Sequence, residues 1–279
     1  MNSNRAPVKF MSNHVSSKLY IPHPAEAGCS IVGLLEQLTE AKPCPGRKIA
    51  LILHGSAGGN HETPGTWRQG GLAEDLEDLR VVVDYLKVNY GYEVDLVVGH
   101  SRGSIVSFRW ICTSEEGAKI SGFVNASGRY RMEIVRHNPE RNDIKKWQEA
   151  IVEKGYYDWS PVIARKQVNF RIHPEDIVNF TGWDTSFVWD SFPASPDVLT
   201  IHGLSDQAVP SYDAIIYARA LSERSPGTHS LHLMEDADHN FTGRQDEVVD
   251  AILDWWSSQQ QRSLKSGIWM PGIKFLGKL

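Results

Sequence analysis

Val97-Val98-Gly99-His100-Ser101-Arg102-Gly103 lies between two segments of different character. Residues 94–98 form an apolar run that reads as a short buried strand, and residues 104–112 can continue as a helix. A serine on so sharp a strand-to-helix turn is held in strained backbone geometry with its hydroxyl pushed outward. Glycines two residues to either side let neighbouring elements approach without clashing. The pentapeptide G-x-S-x-G is common by chance. Its position between a strand and a helix is what makes Ser101 a candidate nucleophile.

Working outward, strands and helices alternate on both sides of this turn. Residues 30–38 are strand-like, and a loop at 42–46 follows. Ile49-Ala50-Leu51-Ile52-Leu53 has the pattern of a strand buried on both faces of a parallel sheet, and it enters His54-Gly55-Ser56-Ala57-Gly58-Gly59. Leu72, Leu76, Leu79, Val83 and Leu86 recur at helical spacing, with Glu74, Asp75, Glu77 and Asp78 toward the start, so the spacing predicts a helix over 72–90. Further strands are expected at 120–125, 198–201 and 229–234, with helices at 213–221 and 246–260. Such alternation predicts a parallel α/β sheet. Between Arg129 and Pro196 charges interleave with Trp147, Trp159, Trp183 and Trp189 and no clean strand is legible, which predicts a mainly helical insertion whose tryptophans serve packing. Residues 1–18 read as polar and loose, whereas the tail from Trp269 is apolar enough to dock on the body.

Composition excludes several classes of function. The 279 residues are 41% hydrophobic and 23% charged, ordinary for a globular protein. A net charge of −5 without a basic stripe argues against a nucleic-acid partner. Three cysteines, Cys29, Cys44 and Cys112, lack C-x-x-C spacing and point to a reducing compartment, not a disulfide framework or a zinc site. Met1 to Val15 contains no apolar signal region, and no run approaches the ~18 apolar residues of a membrane span, so the cytoplasm is the default location. The final Gly277-Lys278-Leu279 shares only its last two residues with a peroxisomal S-K-L address. The glycines of 55–59 match neither G-x-G-x-x-G nor G-K-[ST], so a nucleotide is not expected. His229 and His232, three apart on a strand, face opposite sides and make poor metal partners.

A serine nucleophile needs a base to take its proton and a third group to orient that base. In an open parallel sheet, working residues lie just beyond the carboxyl ends of strands. Asp206 follows the strand at 198–201, and His239 follows the strand ending near Met234. Asp236 and Asp238 are nearer His239 in sequence, but neighbours on one loop rarely aim side chains at each other, so they rank behind Asp206. The oxyanion of an acyl-transfer intermediate would be held by the main-chain N–H of Arg102, directly after the nucleophile. A second donor would come from the loop after residue 53, with Ser56 the first choice. The Arg102 side chain is free for a salt bridge or for shaping the mouth. His54 and His100 are expected to hold the two loops by hydrogen bonds.

Leu53-His54-Gly55, the Ser101 pentapeptide, Ile201-His202-Gly203 with Asp206 and Val209-Pro210, and Asp238-His239-Asn240-Phe241 together resemble the α/β-hydrolase superfamily. More narrowly, the chain is similar to serine-aminopeptidase-like and cinnamoyl-esterase-like hydrolases, including fungal esterases. The resemblance covers about residues 28–260. It implies a single α/β-hydrolase domain over 1–279, with an eight-stranded, mostly parallel sheet flanked by helices. The core would be about 28–128 and 197–262, and a helical cap about 129–196. It also implies hydrolase activity on a small-molecule ester or acyl substrate, no metal and no cofactor. The expected reaction is serine hydrolysis of carboxylic esters by Ser101, His239 and Asp206 through an acyl-enzyme; an aminopeptidase or amidase is the enzymatic alternative.

The chain departs from that family between Gly59 and Leu72. Only Asn60 to Gly71, twelve residues, separate them, whereas a strand–helix–strand unit takes roughly 30 or more. One helix and one strand after the H-G loop are therefore expected to be missing, as in a splice variant, which would take a neighbour from the strand at 49–53 and leave backbone groups and apolar surface uncovered there. Catalytic impairment is the corresponding alternative reading.

Overall fold

The computed structural model describes residues 14–25, 28–38, 45–55, 68–137, 142–160, 162–163, 166–167 and 169–271. An antiparallel hairpin, β1 (His14–Pro22) and β2 (Ser30–Leu38), precedes β3 (Arg47–Leu53), α1 (Leu72–Tyr90), β4 (Tyr92–His100), α2 (Arg102–Thr113) and β5 (Gly122–Ala126). The insertion contributes α3 (Ile134–His137), α4 (Asn142–Lys154), β6 (Tyr157–Trp159), β7 (Val162–Ile163), β8 (Lys166–Gln167), β9 (Phe170–Ile172) and α5 (Pro174–Thr181). The core resumes with β10 (Asp197–Gly203), α6 (Tyr212–Leu221), β11 (His229–Met234), α7 (Gln245–Gln260) and β12 (Gly267–Ile268).

The central sheet runs β12-β11-β10-β5-β4-β3, and every pairing in it is parallel. Side chains alternate across it, so adjacent residues feed opposite faces. Val97, Phe123 and Val198 join one core with residues of α1, α2 and α6; Leu96, Val124, Leu199 and Ile201 join a second core with Ala251 and Trp255 of α7. Helices thus cover both faces, as a parallel sheet requires. The five apolar positions that predicted α1 are its five buried residues.

Four expectations need correction. Among the described residues the sheet has six strands, not eight, and β1–β2 forms a sheet of its own, joined to α1 and β4 through Leu35, Leu86 and Tyr92. Among the described residues β3 pairs only with β4, so it is an edge strand. Its Lys48, Ala50 and Ile52 are exposed (Ile52 by 66%), where burial on both faces was expected. Twelve residues after Gly59 are too few to supply the strand and helix that would cover that edge and face; residues 56–67 lie outside the described residues. Third, His14 to Lys18 belong to β1 instead of a loose terminus, because Leu19 and Ile21 anchor a register that continues outward to His14↔Leu38. Fourth, the insertion carries two short antiparallel ladders, β6–β9 and β7–β8, besides its helices. Ladders of two or three residues are too short to show a period of two; β6–β9 is packed by Trp159 against Phe170 and Trp147. Just before the tail β12 pairs with β11, and Trp269 N–H donates to Leu231 O at 2.8 Å; residues 272–279 lie outside the described residues.

Two features of this core yield predictions. A Cβ at Gly103 would stand 2.5 Å from Leu53 O and 2.7 Å from His54 O, both backbone atoms that cannot swing aside. Gly103→Ala should therefore cost at least about 1–3 kcal/mol in equilibrium unfolding; an unchanged midpoint would contradict the packing described. His229 is fully buried with Nε2 2.9 Å from Thr200 Oγ1, and burial, aided by Arg224, lowers its pKa to about 3. The unfolded chain, with an ordinary histidine near pKa ~6.5, takes up the proton first as pH falls. Stability from this group is complete above about pH 6.5 and is lost progressively toward pH 3. Between about pH 6.5 and 4.5 the wild type should lose roughly 2 kcal/mol more than His229→Gln. Equal losses would show that His229 is not held neutral.

Candidate active site

Ser101 sits between β4 and α2 with φ 53° and ψ −116°, a left-handed conformation that costs a non-glycine residue on the order of 1–3 kcal/mol. Main-chain bonds fix it there. Ser101 N–H donates to Ala126 O at 2.8 Å at the end of β5, and Ser104 N–H donates back to Ser101 O at 3.0 Å. The flanking glycines have separate tasks. A Cβ on Gly99 would meet Ser104 Cα at 2.7 Å, and one on Gly103 would strike the end of β3. The turn thus closes only because both side chains are hydrogen.

Three side chains that are remote in sequence meet at this edge of the sheet. Ser101 Oγ lies 2.9 Å from His239 Nε2, and His239 Nδ1 lies 2.8 Å from Asp206 Oδ2. Asp206 Oδ1 accepts the N–H groups of Ala208 and Val209, each at 2.7 Å. His202 Nε2, which also faces Val209 O at 3.0 Å, is 3.3 Å from Asp206 Oδ2. Burial alone would raise the Asp206 pKa. Hydrogen bonds from His202, His239 and the Val209 N–H outweigh it, and the carboxyl is held well below the usual carboxylate range. An ionised Asp206 can only accept, so Nδ1 of His239 carries the donated proton and Nε2 is left to accept from the Ser101 hydroxyl.

His100 holds the histidine loop: its Nε2–H donates to His239 O at 2.8 Å, and the two rings are 5.2 Å apart. Burial lowers its pKa and keeps it neutral, as a positional anchor should be. His54 is exposed, and the loop it was expected to hold, residues 56–59, lies outside the described residues. Asp238 is used locally, accepting from the N–H groups of Asn240 and Thr242, and Asp236 is exposed, so neither competes with Asp206 for His239.

Arg102 is the first residue of α2, which sets its main-chain N–H at the helix N-terminus beside Ser101. Ser56 lies outside the described residues, but Gly55 approaches the elbow closely: a Cβ there would be 3.0 Å from Ser101 Cβ. His202 escaped the sequence reading as a partner of Asp206. Its position in His202-Gly203 at the strand end, four residues before the acid, was the available signal. Among the described residues no group of three or more His, Cys, Asp or Glu side chains could hold a metal ion, and no helix is long and apolar enough to cross a membrane.

Similarity to known proteins follows the same outline. Est1E from Butyrivibrio proteoclasticus superposes with a TM-score of 0.60 at 16% identity, over 88% of this chain and 99% of that one. A structure of Est1E with ferulic acid bound gives 0.62 at 15% identity, over 89% and 96%. A Pyrococcus furiosus esterase gives 0.59 at 15%, over 89% of each chain. At such identities the likeness concerns the fold. An uncharacterised protein of Saccharomyces cerevisiae is 30% identical over 190 residues, covering 62% of this chain and 53% of that relative, so the match spans about half the relative's length. The sequence pattern described as the alpha/beta hydrolase family matches residues 49–251, from β3 through the sheet and insertion into α7. The chain belongs to the alpha/beta hydrolase family.

Proposed function

We propose that the protein is a serine hydrolase that cleaves carboxylic esters through an acyl-enzyme. The observation that carries this reading is the unbroken chain from Ser101 Oγ to His239 at 2.9 Å and from His239 to Asp206 at 2.8 Å. Ser101 attacks the ester carbonyl while its proton passes to Nε2 of His239. Asp206 stabilises the imidazolium that forms. The carbonyl oxygen becomes an oxyanion held by the N–H groups of Arg102 and Ser56. Collapse expels the alcohol, which takes the proton from His239, and leaves the acyl group on Ser101. Water, deprotonated by His239, then attacks the acyl carbon and releases the acid and the free serine. Esters are favoured over peptides because structural relatives from Rhodothermus marinus and Pyrococcus furiosus bear esterase names and no residue pattern specifies an amine-binding pocket. The ferulate complex of Est1E makes aromatic esters the first substrates to try.

A second reading, a folded but inert hydrolase, draws on the exposed edge of β3, the strand that leads into the Ser56 loop. A fluorophosphonate probe separates the two. The folded wild type should label stoichiometrically and Ser101→Ala should not, and Asp206→Asn should lower kcat on an ester reporter by roughly 10³–10⁴. Absence of labelling in folded wild type would establish the inert reading, and labelling that survives Ser101→Ala would remove the nucleophile. Turnover of an aminoacyl reporter in preference to the ester would turn the assignment to an aminopeptidase.

A further inference from the structure

The loop that carries Asp206 is gripped from behind as well as at the carboxylate. Asp206 Oδ1 accepts the N–H groups of Ala208 and Val209, and the carbonyls of the same two residues are taken by other partners. Arg129 Nη2 donates to Ala208 O at 2.5 Å, and His202 Nε2 donates to Val209 O at 3.0 Å. Neither partner is a surface group: His202 is 0% exposed and Arg129 7%. Ala208 O and Val209 N–H belong to one peptide unit, so a single amide separates the Arg129 guanidinium from Asp206. A charged donor on the carbonyl polarises that amide and strengthens its N–H as a donor to the carboxylate.

Arg129 is itself fixed. It leaves β5 in the stretch Ala126-Ser127-Gly128-Arg129, whose Ala126 O accepts Ser101 N–H at 2.8 Å and whose Ser127 N–H donates to Ile201 O at 2.9 Å. Tyr217 Oη donates to Arg129 O at 2.8 Å, and the buried Tyr217 ring stacks on Phe108 of α2. Four consecutive residues therefore touch the nucleophile turn, the end of β10 and the acid loop. These are the parts whose spacing a triad requires.

His202 plays a second part. Its Nε2 faces two acceptors, Val209 O and Asp206 Oδ2 at 3.3 Å, and so carries a proton. Nδ1 is buried without a hydrogen-bond partner, and a second proton there would be a buried donor with no acceptor. The geometry fits a neutral ring protonated on Nε2. Oδ2 is also the oxygen that accepts from His239, so His202 draws charge from the atom an imidazolium at His239 would face. The other titratable groups nearby act elsewhere. His100 holds the His239 main chain, with His54 beyond it, and Asp238 accepts from the main chain of its own loop.

We propose that Arg129 and His202 are positioning residues for the triad acid: they hold the Ala208 and Val209 carbonyls from behind so that Asp206 faces His239, and His202 also shares the Asp206 oxygen that orients His239. This rests on the serine-hydrolase reading above.

The test compares His202→Leu with His202→Gln and Arg129→Met with Arg129→Lys, in protein whose wild type has been shown to label at Ser101 and in variants shown by thermal unfolding to be folded at the assay temperature. Gln and Lys keep a donor for the same carbonyl, and Leu and Met do not. On an ester reporter, kcat should fall about tenfold or more in the Leu and Met variants, with KM changed less than about threefold, and Gln and Lys should recover part of that loss. His202→Leu should also move the acid limb of kcat/KM up by about half a pH unit or more, because the imidazolium then faces a carboxylate with one donor fewer; His202→Gln should not. A further measurement needs no variant. Nitrogen NMR of isotopically labelled wild type should show His202 as a neutral Nε2–H ring throughout the acid limb. Full kcat with an unmoved limb in His202→Leu and Arg129→Met, losses in Gln and Lys equal to those in Leu and Met, or a His202 that titrates along the limb or carries its proton on Nδ1 would overturn the proposal and leave the hydrolase reading standing. A folded wild type that neither labels nor turns over would overturn both.

Discussion

Closure of the β4–Ser101–α2 turn is the constraint on which the rest of the site depends. Ser101 occupies a left-handed conformation at φ 53°, and the helix that follows must start within contact of the strand it has just left. Two absent side chains, at Gly99 and Gly103, permit that approach, and bonds to Ala126 O and from Ser104 N–H hold it. Once the turn is closed, the serine hydroxyl emerges at the carboxyl edge of the sheet, where parallel pairing also delivers the ends of β10 and β11. Sheet geometry, not local sequence, therefore brings Ser101, Asp206 and His239 together over separations of 138 and 33 residues.

The polar groups around that edge form a graded support. Asp206 collects two main-chain donors and two imidazoles, which keeps it ionised despite its burial. His100 fastens the main chain of His239, which is thus fixed at its backbone as well as its ring. Arg102 belongs to the turn and reaches outward from it, tying α1 and, through residues 68–70 and Asp176, the cap to the same centre. The 68–70 segment touches both the turn and the cap.

Much of this was legible in the sequence because the signals were local. The apolar spacing of α1 coincides with its buried residues, the strand at 198–201 was marked by an apolar run, and the strand expected at 229–234 is present. Asp206 and His239 could be chosen because each follows such a strand. What stayed hidden was non-local or too short. The Arg102–Asp75 contact joins residues 27 apart on different helices, and Asp75 read only as one of several first-turn acids. The cap ladders have too few residues to show periodicity, and β1 owes its outer half to pairing with β2. The exposed face of β3 contradicts its apolar composition, which by itself resembles a central strand. The short connection after Gly59 was the feature that pointed to an edge there.

The central claim is that Ser101 takes the acyl group, and trapping that species tests it most directly. Mixing the protein with a nitrophenyl ester and recording the first turnover should give a burst of nitrophenol equal to the enzyme concentration. Acid quenching within the burst should leave one acyl group on the peptide that contains Ser101. A linear trace with no adduct, from folded protein that still hydrolyses the ester, would contradict the account.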